Sequence, residues 1–260
     1  MIKIATPLSS LCQNDIDIKR IEYETDCWEL RDKEFKYTLD KKIEIFHVDF
    51  QIIHPWEENK FEFIQKVAEQ WVDLKLISFH AASVCDFPKV KNGLFVKRGQ
   101  SFSRGAMIKQ AQSNIGMLKK ICRDSICFAV ENNNFYPTSA YDIIADADFI
   151  DELVCGANVK FLFDIAHARI SALNKGISYK SYCSKLPFSE LIQIHFSGWG
   201  QKNGVAFDSH DMPSAEDYKE LRQIISRFPF VKYCTVEYYN ECEKLIEILK
   251  TIREVTCELS

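Results

Sequence analysis

Short apolar runs that each end in a histidine, aspartate or glutamate most constrain the fold of this chain. Residues 76–80, 127–131 and 161–164 all have this form. Such a run is typical of a strand buried on both faces, and helical stretches lie between successive runs. Strands that alternate with helices favour a parallel sheet, and eight of them can close into a (β/α)8, or TIM, barrel. In that fold, polar groups at the strand ends meet at the mouth of the barrel.

Eight strand candidates follow one another along the chain, and the second is the weakest because it is mostly polar. The predicted strands are residues 2–8, 21–30, 43–50, 74–80, 126–131, 159–164, 191–196 and 233–238. Between them, apolar residues recur with helical spacing. The predicted helices are residues 61–71, 106–122, 146–153, 215–228 and 241–255. Helices near the N-terminus are expected to be short or missing.

Length and composition fit one barrel, so the sequence predicts a single domain over residues 1–260. A net charge of −4, without a lysine- or arginine-rich block, argues against a broad nucleic-acid-binding surface but leaves room for a basic rim. Residues 2–8 read as a strand rather than a signal peptide, and no apolar run reaches the ~20 residues of a membrane span. The 10 scattered cysteines are predicted to be free structural residues in a reducing cytoplasm.

Two longer irregular stretches follow strand ends, so we expect them on the face where this fold keeps its chemistry. Residues 86–105 carry five basic side chains and three phenylalanines, and residues 197–214 contain three glycines. Either stretch can contact a substrate at the barrel mouth. The candidate substrate-binding residues are Lys97, Arg98, Asn132 and Trp199.

Nine side chains suited to metal binding stand at or beyond the ends of predicted strands. Imidazoles and carboxylates together suit zinc, manganese or iron. Carboxylates buried so close would repel one another, and a cation removes that cost. The candidate ligands are His47, His80, Glu131, Asp164, His167, His195, Asp208, His210 and Glu237.

Strand parity supports inward-facing ligands, because residues two apart on a strand share a face. An inward His195 brings Gln193 and Leu191 inward, and it turns Ile192 and Ile194 toward the helices. The same rule predicts which neighbours accompany the two glutamates. Cys127, Ala129, Tyr233 and Thr235 would face inward with Glu131 and Glu237, and Phe128, Val130 and Val236 would face outward.

Two local spacings add to the pattern. Asp164 and His167 are three positions apart, and the chain is predicted to pass from strand to loop between them. Asp208 and His210 form a D-x-H pair in a predicted extended loop, where both side chains lie on one side and can hold one ion. His54, beyond the third strand, is interpreted as a surface or structural residue.

In the order of these ligands the chain resembles the superfamily of endonuclease IV and xylose isomerase-like TIM barrels, most closely from about His80 onward. The endonuclease IV branch uses three zinc ions, and all nine of its ligand positions are filled here. The resemblance implies two or three transition-metal ions, with zinc favoured over iron or manganese. It makes Glu131 and Glu237 the catalytic, bridging carboxylates. The remaining ligands would be His47 with His80, Asp164 with His195, and His167 with Asp208 and His210.

The segments between the ligands are more similar to a second branch, the multinuclear iron oxidases of the methanobactin-biosynthesis type, which modify cysteine in peptides. Glu131-Asn132, residues 195–198 and residues 208–213 resemble that branch's E-N, H-x-A-G-like and D-T-H-x-x-P-like motifs. The oxidases usually have asparagine in place of His167. The endonuclease IV branch differs too, because it has arginine where this chain has Ser209.

The resemblance leaves three functions open. The leading hypothesis is hydrolysis of abasic-site DNA or a related phosphodiester, in which clustered zinc lowers the pKa of a bridging water and the basic loop meets the backbone. The second is iron-dependent oxidation of a cysteine-containing peptide together with a partner protein. The third is sugar isomerisation or epimerisation on a carboxylate-bound metal. Histidine and carboxylate ligands accept both zinc and iron, so the ligand set does not separate them.

Overall fold

A closed barrel of eight parallel strands forms the centre of the computed structural model, which describes residues 2–12, 14–31 and 39–258. The strands are β1 (Lys3–Pro7), β2 (Cys27–Leu30), β3 (Ile43–Gln51), β4 (Leu76–His80), β7 (Cys127–Glu131), β8 (Lys160–Asp164), β9 (Leu191–Phe196) and β12 (Tyr233–Val236). Around the ring their order is β1-β12-β9-β8-β7-β4-β3-β2. The predicted TIM barrel is confirmed.

Helices surround this barrel, and the local sequence explains where several of them begin and end. They are α1 (Asp15–Glu24), α2 (Glu58–Gln70), α3 (Arg104–Ile121), α4 (Ala147–Ala157), α5 (Ile165–Lys175), α6 (Tyr179–Cys183), α7 (Ala215–Arg227) and α8 (Cys242–Cys257). Asn14 caps α1, and Ser214 forms a capping box with Asp217 at α7. Gly176 ends α5 in the left-handed conformation that glycine adopts freely.

The second strand is shorter than predicted, because residues 21–24 belong to α1. Ile18 and Ile21 lie three positions apart and are both buried on one face of that helix. The strand therefore begins only at Cys27. The early helices α1 and α2 have 10 and 13 residues, so the expectation of short or missing helices is not met there. Residues 32–38, between β2 and β3, lie outside the described chain.

Both stretches predicted to be irregular contain a β-hairpin. The first holds β5 (Lys89–Lys91) and β6 (Leu94–Val96), and the second holds β10 (Gly198–Lys202) and β11 (Val205–Asp211). Each turn is an Asn-Gly pair with both residues at positive φ, at residues 92–93 and 203–204. Asn-Gly between short strands is a strong hairpin signal, so the sequence contained the information for both hairpins.

Apolar side chains fill the half of the barrel that lies toward the N-terminal ends of the strands. Ala5, Cys27, Ile45, Leu76, Ala129, Leu162, Ile192 and Tyr233 form this inner cluster. The inward positions of Ala129 and Tyr233 confirm the parity prediction for their strands. The prediction is wrong for Leu191 and Ile192, because β9 contains an extra residue relative to β8. Phe161 pairs with Leu191 but Leu162 pairs with Gln193, and this bulge turns Ile192 inward and Leu191 toward the helices.

The remaining predictions about bulk properties concern membranes and cysteines. No helix in the described part of the chain is long and apolar enough to cross a bilayer. The 10 cysteines are all free, as predicted. Cys27 lies inside the barrel and Cys234 packs in the outer core, where a free thiol behaves as a small hydrophobic group.

Candidate metal centre

A cavity of about 510 Å³ lies at the C-terminal ends of the barrel strands, above the apolar inner cluster. In TIM barrels this end carries the catalytic groups. Side chains from several barrel strands and from both hairpins form its wall. The lining residues are Arg31, His47, Asp49, Gln51, His80, Ala82, Phe95, Glu131, Asn133, Asn134, Tyr141, His167, Asp208, His210, Glu237 and Tyr239.

The first group of candidate ligands consists of His47, His80 and Glu131, whose ligand atoms lie within 4.8 Å of one another. The Nδ1 atom of His80 is 3.0 Å from Glu131 Oε2, and the Nε2 atom of His47 is 3.4 Å from the same oxygen. His47 Nδ1 lies 2.8 Å from the hydroxyl of Ser78, which leaves Nε2 to face the other two residues. This group can hold one metal ion.

The second group consists of Glu131, Asp164 and His195, again within 4.8 Å. His195 Nδ1 is 3.1 Å from Glu131 Oε1, whereas the first group meets Oε2 of the same carboxylate. Glu131 therefore presents one oxygen to each group, which is the geometry expected of a carboxylate that bridges two metal ions. Asp164 ends β8 and also caps α5, where its Oδ1 accepts from the His167 backbone N–H at 2.7 Å.

The third set of candidate ligands, His167, Asp208 and His210, meets at one carboxylate oxygen. Asp208 Oδ2 is 3.2 Å from His167 Nε2 and 3.3 Å from His210 Nε2. The groups of described residues whose ligand atoms all lie within 4.8 Å of one another do not include this set. The third set is therefore looser than the first two groups.

The chain around the third set differs from the sequence prediction. His167 lies in the first turn of α5 rather than in a loop, because Asp164 caps the helix that begins at Ile165. His210 lies on β11 with φ at +47°, a left-handed conformation that is strained for histidine. Tyr136 holds this strand through its hydroxyl, which accepts from the Asp208 backbone N–H at 3.2 Å.

Glu237 contacts a pair of residues that the sequence analysis did not identify. Glu29 and Arg31 project from the end of β2, and the Arg31 guanidinium contacts the carboxylates of both Glu29 and Glu237. Glu29, His195 and Glu237 form another group within 4.8 Å. The alternation of Cys27, Glu29 and Arg31 would have indicated an inward-facing row, but β2 was predicted poorly.

Buried carboxylates in this site depend on nearby positive charge. Burial would raise the pKa of Glu237, but His195 and Arg31 lower it. Burial raises the pKa of Asp164 to about 7. Burial would lower the pKa of His195, yet Glu237 and Glu29 raise it well above its ordinary value. His167 shows the same pattern, because Asp164 and Asp208 outweigh its burial and raise its pKa. Carboxylates that draw protons onto themselves or onto neighbouring imidazoles provide a favourable environment for a cation.

Unpaired atoms around the cavity also fit metal ions. Among the described residues, Asp164 Oδ2, Asp208 Oδ1 and His210 Nδ1 are buried polar atoms without a hydrogen-bond partner. A buried polar atom with no partner is costly, and a coordinated ion would satisfy it. All three atoms belong to candidate ligands, so the donor set fits two or three hard or borderline cations.

The candidate substrate-binding residues occupy different positions. Lys97 and Arg98 are exposed just beyond β6, whose Phe95 lines the cavity. Trp199 is half-buried on β10, outside the cavity wall. The prediction for Asn132 is corrected, because this side chain is buried and both of its amide atoms bond to the backbone of Asp164.

Several residues that the sequence analysis did not select form the cavity wall, and one that it set aside is placed as expected. Asn133 and Asn134 line the cavity beside Asn132, together with Tyr141 and Tyr239. No short motif distinguishes these four, and their place follows from strand ends that only the folded barrel brings together. His54 is a buried structural residue whose Nε2 lies 2.8 Å from the Ser83 carbonyl oxygen.

Comparison with protein families identifies the class to which this site belongs. Residues 103–257, more than half of the chain, match the model of the RiPP precursor modification enzymes MbnB/TglH/ChrH. The chain belongs to this family. The matched segment contains seven of the nine candidate ligands, from Glu131 to Glu237. Only His47 and His80 lie before it.

Curated relatives are similar over a shorter stretch. A UPF0276 protein of Caulobacter vibrioides is 32% identical over 84 residues, which cover 32% of this chain and 30% of the relative. A UPF0276 protein of Bordetella pertussis is 30% identical over 97 residues, covering 35% of this chain and 34% of the relative. The chain thus aligns with about a third of the length of these relatives.

Solved structures with a similar fold include an epimerase and a putative isomerase. D-psicose 3-epimerase from Clostridium cellulolyticum H10 superposes with a TM-score of 0.63 at 12% identity, over 100% of both chains. A putative xylose isomerase from Rhodospirillum rubrum superposes with a TM-score of 0.63 at 10% identity, over 98% of this chain and 99% of the other. At such low identity these likenesses establish the fold alone, a TIM barrel.

Proposed function

We propose that this protein is a metal-dependent enzyme that oxidises a cysteine-containing segment of a ribosomally made peptide precursor. The observation that carries the proposal is the family match over residues 103–257, because it contains most of the candidate ligands. The sequence analysis ranked phosphoester hydrolysis ahead of oxidation. The family match gives no support to that order and favours the oxidase hypothesis.

Iron is the metal that we propose for this chemistry, held by the first two groups and by the looser third set. Bound iron would supply one-electron chemistry with dioxygen. Glu131 would bridge the first two groups, because its two oxygens face different histidines. Arg31 contacts Oε1 of Glu237, so Glu237 would offer its other oxygen, Oε2, which lies 4.0 Å from His210 Nδ1.

The protein's own residues would position the peptide. A cavity of about 510 Å³ falls within the ~300–1,000 Å³ of small-molecule sites and can admit a cysteine side chain with its flanking backbone. Asn133, Asn134 and Gln51 offer amide groups along the wall, and Tyr141 and Tyr239 offer aromatic faces. We propose that a partner protein presents the precursor to this cavity.

Hydrolysis of a phosphodiester is the alternative, and one observation favours it. His167, Asp208 and His210 meet at Asp208 Oδ2, which provides the third metal position that the endonuclease IV branch requires. An isomerase needs fewer metal ions and gives no role to this set. The fold likeness to an epimerase does not change that, because it shows the barrel alone.

The test combines metal analysis with two substrate assays. Protein purified without chelator is analysed for zinc, iron and manganese, and iron- and zinc-loaded samples are prepared anaerobically. The iron-loaded sample receives cysteine peptides and their serine counterparts, with oxygen uptake and peptide mass as readouts. The zinc-loaded sample receives duplex DNA with and without an abasic site. Glu131→Gln serves as the inactive control in both assays.

Oxygen uptake that requires both iron and the cysteine peptide, with a mass change in that peptide, supports the oxidase. Abasic-site cleavage by the zinc-loaded sample, without peptide oxidation, would replace the proposal with the hydrolase. Fewer than two metal equivalents under all loading conditions would refute a multinuclear centre of either kind.

A further inference from the structure

Arg31 places a permanent positive charge between two buried carboxylates of the candidate centre. Its Nη2 atom lies 2.5 Å from Glu29 Oε1 and also contacts Glu237 Oε1. The Glu29 side chain is 0% exposed, that of Glu237 is 5% exposed and that of Arg31 is 20% exposed, so water screens these contacts only weakly. Arginine does not lose its proton in proteins, and the charge is therefore fixed.

The second oxygen of Glu29 is committed as well. Glu29 Oε2 accepts hydrogen bonds from Gln193 Nε2 at 2.7 Å and from Thr235 Oγ1 at 3.0 Å, and it lies 3.2 Å from His195 Nε2. All of these partners belong to strands on the far side of the barrel from β3 and β4. Glu29 is therefore held in a fixed position beneath His195.

His195 has a different partner on each ring nitrogen. Its Nε2 lies 3.2 Å from Glu29, and its Nδ1 lies 3.1 Å from Glu131. A histidine that donates one N–H to a carboxylate presents the other nitrogen to a metal, and such partners fix the orientation of the ring. Glu29 can therefore orient His195 toward the bridging carboxylate.

Glu29, His195 and Glu237 could instead bind an ion themselves. Glu29, His195 and Glu237 each place one ligand atom within 4.8 Å of the others, the same spacing as the two groups that contain Glu131. An ion there would lie close to the guanidinium, which already contacts Glu29 Oε1 and Glu237 Oε1. Cation and guanidinium repel each other at such distances, so both cannot occupy this group.

We propose that Arg31 acts as an internal cation that excludes metal from the Glu29–His195–Glu237 group and commits Glu29 to positioning His195. Glu29 is then a positioning residue and not a ligand. The inference rests on the proposed metal centre, and it does not depend on which substrate the enzyme takes.

Removal of the guanidinium provides the first test. Arg31→Gln leaves Glu29 and Glu237 without a cation, so this variant should bind about one more zinc equivalent than the wild type. Arg31→Gln combined with Glu29→Gln should return to the wild-type stoichiometry, because the extra site has lost a ligand. Zinc is added to chelator-treated protein and counted by calorimetric titration and elemental analysis.

Two controls separate this effect from general damage to the barrel. Glu44→Gln removes a buried carboxylate at the opposite end of the barrel, where Glu44 pairs with Lys3 at 2.5 Å, and should leave the zinc count unchanged. Arg31→Lys keeps a positive charge and should bind no extra zinc. Circular dichroism and thermal unfolding show which variants are folded.

A measurement on the zinc-loaded wild type tests the role of Glu29 without relying on a folded Arg31→Gln variant. With ¹⁵N-labelled histidine, His195 should give a slowly exchanging Nε2 proton, because Glu29 accepts it in a buried environment. Glu29→Gln should shift that signal and weaken zinc affinity by roughly 10–100-fold, as other losses of a histidine's outer partner do.

Equal zinc counts in the wild type and a folded Arg31→Gln variant would overturn the exclusion of metal by Arg31. A His195 whose Nε2 carries no proton in the loaded wild type would overturn the positioning role of Glu29. A wild type that binds no zinc or iron would instead overturn the proposed function, so the two failures are distinguishable.

Discussion

Asn132 and Asp164 are joined by two hydrogen bonds across neighbouring strands of the barrel. The Asn132 amide donates to the Asp164 carbonyl oxygen at 2.9 Å, and its Oδ1 atom accepts from the Asp164 backbone N–H at 2.8 Å. Both residues are buried. The asparagine directly after Glu131 therefore fixes the distance between the ends of β7 and β8, where two candidate ligands stand.

We predict that Asn132→Ala weakens metal binding through this backbone link. Two unpaired buried backbone groups should lower the free energy of unfolding by about 1–3 kcal/mol, and misplacement of Asp164 should lower metal affinity. The matched control is Asn114→Ala, because Asn114 is also buried and also makes two hydrogen bonds to the backbone, donating to the carbonyl oxygens of Ile52 and His54 outside the cavity. The control should lose stability but keep its metal affinity, and the same loss of affinity in both variants would contradict the specific role of Asn132.

We predict that Glu131→Gln abolishes turnover and removes metal from both groups that share this residue, while the barrel remains folded. One Glu131 oxygen lies 3.0 Å from His80 and the other 3.1 Å from His195, so a single substitution affects both groups. His80→Ala is the comparison, since it should affect the first group alone. Metal content and circular dichroism measure these effects. Near wild-type activity of this variant on the correct substrate would show that Glu131 is not essential for catalysis.

The ends of four barrel strands were predictable because a ligand follows an apolar run that is typical of a buried strand. His80, Glu131, Asp164 and His195 lie where their strands end, as the sequence indicated. Glu29 could not be placed in the same way, because β2 is only four residues long and follows a helix whose polar residues obscure the boundary.

The wall of the cavity was less predictable than its ligands, for a different reason. Asn132 was expected to contact substrate, but that role needs a free amide, and the backbone of β8 already occupies both of its polar atoms. The bulge at Ile192 similarly depends on the stagger between β8 and β9 and not on residue type. Pairing between distant strands determines both outcomes, and alternation within one strand carries no information about it.

We predict that the third metal ion is separable from the other two. His210→Ala should lose about one metal equivalent and keep the pair that Glu131 bridges, because His210 and Asp208 both come from β11. His210→Gly should lose the same ion yet be more stable than His210→Ala by about 1 kcal/mol, since glycine accepts the φ of +47° without strain. Elemental analysis and thermal unfolding distinguish these effects. Loss of all metal, or of none, would show that the β11 ligands do not form a separable site.

The last prediction concerns Lys97 and Arg98, which are exposed beside the hairpin strand that carries Phe95 into the cavity wall. Reversal of both charges should leave the metal content unchanged and weaken binding of an anionic substrate, with a smaller dependence on salt than the wild type shows.

The matched control is Lys119→Glu with Lys120→Glu, an adjacent exposed pair in the last turn of α3, at the other end of the barrel. Binding is measured by fluorescence anisotropy over a range of salt concentrations, once with acidic cysteine peptides and once with abasic duplex DNA. Weaker binding of the peptides alone supports precursor recognition at this rim, and weaker binding of DNA alone favours the hydrolase hypothesis. Equal effects of the rim pair and the control pair would show that the rim has no part in substrate recognition.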